Sequence, residues 1–172
     1  MTRLEKLCSA AAFLAIVFVV LMIAGNLAQA DSLVIYGGRS VSNSITDTKA
    51  TSWAVEQVTD TKLGKWEFGY LNEGHLGWDK RDGIYALPRF TALLTPNLST
   101  TFGIGPYFSA TTVTQPDGVH YYDHYRWDVL GTATIDYSLT TNYYISARWG
   151  HTMFTHNKDS DLFLFGLGYN FQ

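Results

Sequence analysis

From position 32 onward, bulky apolar residues alternate with small, polar or charged ones, the period-two pattern of strands whose two faces meet different surroundings. The run 65–83 shows it first. Trp66, Phe68 and Tyr70 fall on one side, and Glu67, Gly69, Leu71, Glu73 and His75 on the other. Further on, Tyr125, Trp127, Val129, Ala133, Ile135 and Tyr137 oppose Arg126, Asp128, Thr132, Thr134 and Asp136. Near the end, Phe163, Phe165, Leu167, Tyr169 and Phe171 oppose Gly166, Gly168 and Asn170.

The alternation predicts eight strands and no helix, near 32–40, 50–58, 64–75, 83–94, 98–112, 124–138, 142–153 and 161–171. Several exceed the ~5–6 residues common in globular proteins and match the ~9–11 of a tilted membrane-crossing strand. Connections alternate in length. The stretches 59–63, 95–97 and 140–141 are short turns, whereas 41–49, 76–82, 113–123 and 154–160 are longer and hold most of the Asn, Asp, Lys and His. Short turns at one end and longer loops at the other are the layout of outer-membrane barrels.

The face composition separates two kinds of closed sheet. A soluble barrel around a ligand would turn the polar set to water, where glycines and other small residues gain nothing. Turned into a narrow lumen, they have a reason to be small. The predicted fold is therefore all-β: an eight-stranded antiparallel transmembrane β-barrel over 31–172, apolar side outward, in the bacterial outer membrane.

The first thirty residues read as a cleaved signal peptide. Arg3 and Lys6 precede an apolar run at 10–24, and Ala28-Gln29-Ala30 supplies a small-residue cleavage site. The single cysteine, Cys8, lies within that leader, so the barrel has no disulfide or thiolate chemistry to use. Without Arg3, Glu5 and Lys6, 10 basic residues face 14 acidic ones, which argues against nucleic acid and against a polybasic membrane patch. The 11 Tyr, 10 Phe and 5 Trp suit strands.

Candidate chemistry gathers in three places. Glu56, Glu67, Glu73, Arg89, Arg126, Asp128, Asp136 and Arg148 share the lumen-facing parity. Eight strands leave a lumen just wide enough for side chains, and buried charges need partners, so these residues predict a packed interior network rather than a pore. The histidines His75, His120, His124, His151 and His156 all fall near the long-loop end. The His120/His124 spacing could suit a metal, but the segment is loop running into strand, and no metal or cofactor is predicted. Glu73 and His75, two apart on one strand, are expected to project to the same side. That arrangement suits a carboxylate orienting an imidazole for general-base work, with Ser109 as a hydroxyl that could approach. The alternative is a rim cluster in which Arg81 and Asp82 pin the loop.

The segment FGYLNEGHLGWDKRDG, with GIGPYFSATT and the closing LFGLGYNF, resembles a group of small proteobacterial outer-membrane β-barrel proteins, some described as acyloxyacyl-hydrolase-like. The matching positions are Asn72, Glu73, Gly74, His75, Arg81, Asp82, Gly83, Gly105, Pro106 and Tyr107. A more distant resemblance is to the lipid A 3-O-deacylases, also eight-stranded barrels. It implies His151 as the catalytic histidine and Asp161 as the acid, while the family's serine position carries Met153, with Thr152 and Ser160 as nearby hydroxyls. Together these readings predict an outer-membrane barrel with a structural or surface-interaction role at its long-loop rim. Outer-membrane lipids, lipopolysaccharide included, are the expected partners. The alternative is an acyl hydrolase acting on lipid A or phospholipid at the outer leaflet.

Overall fold

The computed structural model describes residues 31–43, 48–76, 79–114, 121–153 and 159–171. The expected leader, His120 and His156 lie outside them. Eight strands follow in order: β1 (Ser32–Ser42), β2 (Lys49–Thr61), β3 (Gly64–Leu76), β4 (Asp79–Thr95), β5 (Leu98–Thr114), β6 (Tyr121–Ser138), β7 (Tyr143–Met153) and β8 (Ser160–Asn170). Each pairs antiparallel with its neighbour in sequence, and β1 pairs with β8 to close the barrel.

The wall is one residue thick, so alternation sorts every side chain either outward or into the lumen. Ile35, Phe68, Phe90, Phe102, Trp127 and Phe165 stand among many exposed apolar side chains on the outer surface. Val34, Tyr36, Leu71, Tyr85, Leu87, Tyr107, Leu130, Leu162 and Leu164 pack together inside. The inward glycines make room for tyrosine rings: a side chain at Gly69 would run into Tyr85, at Gly166 into Tyr36 and at Gly168 into Tyr144. Small and large residues thus interlock across the lumen, as a narrow closed barrel requires.

Two sequence expectations are corrected at the β3–β4 hairpin. Leu76 and the residues 79–82 belong to strands and not to a loop. Leu76 pairs with Asp79, His75 with Lys80 and Gly74 with Arg81, and on the other side Lys80, Arg81 and Asp82 pair with Thr112, Thr111 and Ala110. Charge density imitates a loop here because the β5 ladder partners of these residues are far away in sequence. The second correction concerns direction. A β-bulge falls between Asn72 and Gly74, with Glu73 as the extra residue, and Gly74 sits at φ +80°. One inserted residue reverses the parity beyond it, so Glu73 is buried while His75 is exposed. They do not face the same side.

Candidate functional site

The buried Glu73 is the centre of a cluster at the loop end of the lumen. Asn72 Oδ1 accepts a hydrogen bond from the Gly74 backbone N–H at 2.9 Å, which closes the bulge and aims Glu73 inward. There its carboxylate accepts from Tyr107 Oη at 3.1 Å and lies 3.4 Å from Arg81 Nη1. Ser160 Oγ donates to the same carboxylate and is itself 2.6 Å from Thr152 Oγ1. Ser40 Oγ donates to the Glu73 carbonyl at 2.5 Å. Glu73 and Arg81 from the first quoted segment and Tyr107 from the second therefore converge on one site. Glu73 and Ser160 are fully buried and Arg81 is 2% exposed, so among the described residues these side chains fill the loop end of the lumen. Of the remaining motif residues, Asp82 lies 3.6 Å from Lys80 at the partly exposed rim.

A second cluster fills the middle of the barrel. Arg148 Nη1 lies 2.5 Å from Glu56 Oε2 and 3.0 Å from Glu67 Oε1, and its Nη2 donates to Glu56 Oε1 at 2.9 Å. Its Nε donates to Thr134 Oγ1 at 3.1 Å, and its guanidinium stacks 4.5 Å over the Tyr36 ring. Arg89 lies 3.4 Å from Asp136 and 3.9 Å from Glu67. Glu67 lies between two cations, 3.0 Å from Arg148 and 3.9 Å from Arg89. Nearby, Asp128 takes Arg126 Nε at 3.0 Å and Ser109 Oγ at 2.7 Å. Ser109 is thus engaged with Asp128 and not with an imidazole. The sequence reading missed the hydroxyl partners Tyr36, Tyr85 and Ser146 and named Ser160 only as a neighbour of His151, although their lumen-facing parity was a signal that could have found them.

His151 and Asp161 do come together, on the outer surface rather than in the lumen. They are a cross-strand pair of β7 and β8, with His151 Nδ1 2.9 Å from Asp161 Oδ1. Trp149 Nε1 donates to the same oxygen at 3.2 Å, and Asn43 Nδ2 donates to Asp161 Oδ2 at 3.0 Å. Thr152 and Ser160, the neighbouring hydroxyls, have the opposite parity and are buried in the lumen. The wall itself separates them from the imidazole. His124 is exposed on β6, and no group of three or more His, Cys, Asp or Glu could hold a metal ion among the described residues.

A closed eight-stranded wall, apolar outside and packed with paired charges inside, defines a small β-barrel of the outer-membrane type. Neisserial surface protein A is similar over 81% of this chain and 96% of its own, at a TM-score of 0.62 and 13% identity. The N-terminal β-barrel domain of Pseudomonas aeruginosa OprF covers 83% of this chain and 98% of its own (TM-score 0.55, 14% identity). Ail, the attachment invasion locus protein of Yersinia pestis, covers 83% and 99% (TM-score 0.54, 12% identity). No family model matches the chain, and no curated protein matches its sequence. At these identities the likeness is one of fold.

Proposed function

We propose that this chain is an outer-membrane barrel, exported by its leader, with a structural or surface-interaction role carried by the loop-end rim. The observation behind this is the lumen. Glu73, Arg81, Tyr107 and Ser160 close its outer end, and the Arg148 network fills its middle. Among the described residues side chains fill the lumen, and what the barrel offers its surroundings is its outer wall and its rim. Support for the membrane setting comes from the exposed apolar wall and from the fold shared with surface proteins, of which Ail has been observed in a phospholipid bilayer nanodisc and with a heparin analogue. The expected partner is the lipid around the wall, lipopolysaccharide included. Unboiled protein in detergent should migrate differently from boiled protein, and cell fractionation should place it in the outer membrane. Recovery from the soluble periplasm would sink the reading.

The acyl-hydrolase alternative rests on the 2.9 Å contact between His151 and Asp161. An imidazole oriented by a carboxylate is two-thirds of a hydrolytic triad, but a nucleophile within about 2.6–3.2 Å of the ring is the other requirement. Thr152 and Ser160 are buried on the far side of the wall, and Met153 occupies the exposed position next to His151 on its own face. Lipid A from cells with and without the protein is accordingly expected to carry the same acyl chains by mass spectrometry. Loss of one chain only in cells that make the protein would reinstate the enzyme.

A further inference from the structure

One part of the wall rises past its neighbours. β6 pairs with β7 only as far as Val129 and Met153, but with β5 as far as Tyr121 and Thr114, and β5 with β4 as far as Val113 and Asp79. The outward face of this three-stranded ribbon reads in rungs. Trp127, Phe108 and Ile84 form one, Tyr125, Ala110 and Asp82 the next, and Asp123, Thr112 and Lys80 the third. Elsewhere the outward face has already turned polar at this height. Asn72 continues the rung of Tyr125 onto β3, and the rung of Gly131, His151 and Asp161 lies nearer the membrane still. Yet Tyr125 and Trp127 are 60% and 70% exposed. Phe108 props both, with its ring 6.3 Å from that of Tyr125 and 5.0 Å from that of Trp127. An aromatic patch above the polar rungs stands in water rather than in lipid, and such a patch marks a contact surface.

Symmetry says what the patch can meet. Two copies that pair isologously in one bilayer keep the same orientation in it, so their twofold axis runs along the membrane normal. With that axis in front of β5, the β6 side of one copy faces the β4 side of the other at equal height. Equal height is not the same rung. Followed once round the closed barrel, the rung of Leu93 returns to β4 at Gly83, ten residues nearer the loop end. Between β4 and β6 it therefore climbs by about two residues, one step along an outward face. Trp127 of one copy then faces Asp82 of the other, Tyr125 faces Lys80, and Phe108 and Ala110 face their own counterparts. Each pairing is complementary. An indole N–H donates to a carboxylate, an ammonium meets the negative face of a phenol ring, and the small Ala110 lets the ribbons approach. Lys80 and Asp82 lie 3.6 Å apart within one copy, partly exposed, and a surface pair of so little energetic weight can turn to these partners.

We propose that the outward face of β4–β6 at the loop end is the contact between two copies of this chain, paired about a twofold axis beside Phe108 and Ala110. The occupant is argued from complementarity: the β6 side of the face offers aromatic rings and an indole donor, and the β4 side offers the cation and the carboxylate that those groups take. An anionic headgroup would instead meet Asp82 and Asp123 on the same face. The inference rests on the outer-membrane reading above, because the bilayer sets the direction of the axis.

Disulfide trapping in intact outer membranes tests the axis. Cys8 is the single cysteine of the chain, so in a Cys8→Ser background Ala110→Cys supplies one thiol that meets its own counterpart, and oxidation should give a band of twice the monomer mass. Thr51→Cys, exposed on β2, should stay monomeric. Copies carrying Lys80→Cys, mixed with copies carrying Tyr125→Cys, should be joined by a short bismaleimide, although neither variant links to itself. By sedimentation equilibrium in detergent, Tyr125→Ser with Trp127→Ser should raise the dimer dissociation constant at least about tenfold, the weight of a truncated aromatic anchor. Both positions face outward, so folding should survive, and heat-modifiable migration checks that it does. Equal trapping at Ala110 and Thr51 would overturn the contact, as would a dimer that the double serine variant leaves intact. A monomer whose Trp127 fluorescence shifts on adding lipopolysaccharide would overturn it too, because the saccharide would then be the occupant. A chain that shows no heat-modifiable form and fractionates as soluble would instead remove the membrane reading, and the proposal with it.

Discussion

Arg148→Met is expected to lower the unfolding free energy of the barrel by about 3–5 kcal/mol, the range for breaking a buried ion pair from one side. Arg148 is 5% exposed and is the cation that contacts both Glu56 and Glu67, which are 1% and 0% exposed. Methionine fills part of the arginine's volume but leaves two carboxylates facing each other in the lumen, with Arg89 reaching only Glu67, at 3.9 Å. The hydrogen bond that Arg148 Nε donates to Thr134 Oγ1 and its stacking on Tyr36 give the guanidinium a fixed place. Urea unfolding of the refolded barrel in detergent, followed by tryptophan fluorescence and by the gel-migration shift, measures the loss. The triple variant Glu56→Gln, Glu67→Gln, Arg148→Met should recover a large part of it, because it removes the charges that were left unpaired. A loss below about 0.5 kcal/mol for the single change, the size of an ordinary surface substitution, would show that the network is not what holds the middle of the barrel.

The strands and their facing were legible in the sequence because a barrel wall has no second layer. Each side chain goes to lipid or to lumen, and a period of two is all the pattern has to encode. The same simplicity made the errors specific. A bulge adds one residue and inverts everything beyond it, so His75 was read with Glu73 although the structure sets them on opposite sides. Lys80, Arg81 and Asp82 looked like loop because their ladder partners, Thr112, Thr111 and Ala110, lie about thirty residues away. The Glu73 cluster was legible only in part, as a rim cluster with Arg81, for a similar reason. Its members come from β1, β3, β4, β5, β7 and β8, and only closure of the barrel brings β8 beside β1. His151 and Asp161 were easier, since the β7–β8 hairpin pairs them directly. What the sequence could not show was that their neighbours Thr152 and Ser160 would be on the other side of the wall.

Gly74→Val should cost roughly 2–5 kcal/mol, and it separates a structural account of the Asn-Glu-Gly-His motif from a catalytic one. At φ +80° a residue with a side chain loses about 1–2 kcal/mol in backbone strain alone. The added Cβ would also meet the Thr51 carbonyl oxygen and lie 2.9 Å from the Ala50 methyl. The first is backbone of the adjoining strand, which cannot rotate away, so overpacking of about 1–3 kcal/mol follows. Relief would require the bulge to open, which would break the Asn72–Gly74 hydrogen bond and withdraw Glu73 from Tyr107, Arg81 and Ser160. Gly37→Val is the control. Gly37 is exposed on the outer wall and nothing lies within 4 Å of where its Cβ would stand, so that change should stay within about 0.5 kcal/mol. Equal losses at the two glycines would mean that the bulge is not a strained, specified feature. A large loss at Gly74 alone, in a barrel whose lipid A acylation is unchanged, would assign the motif to holding the lumen shut.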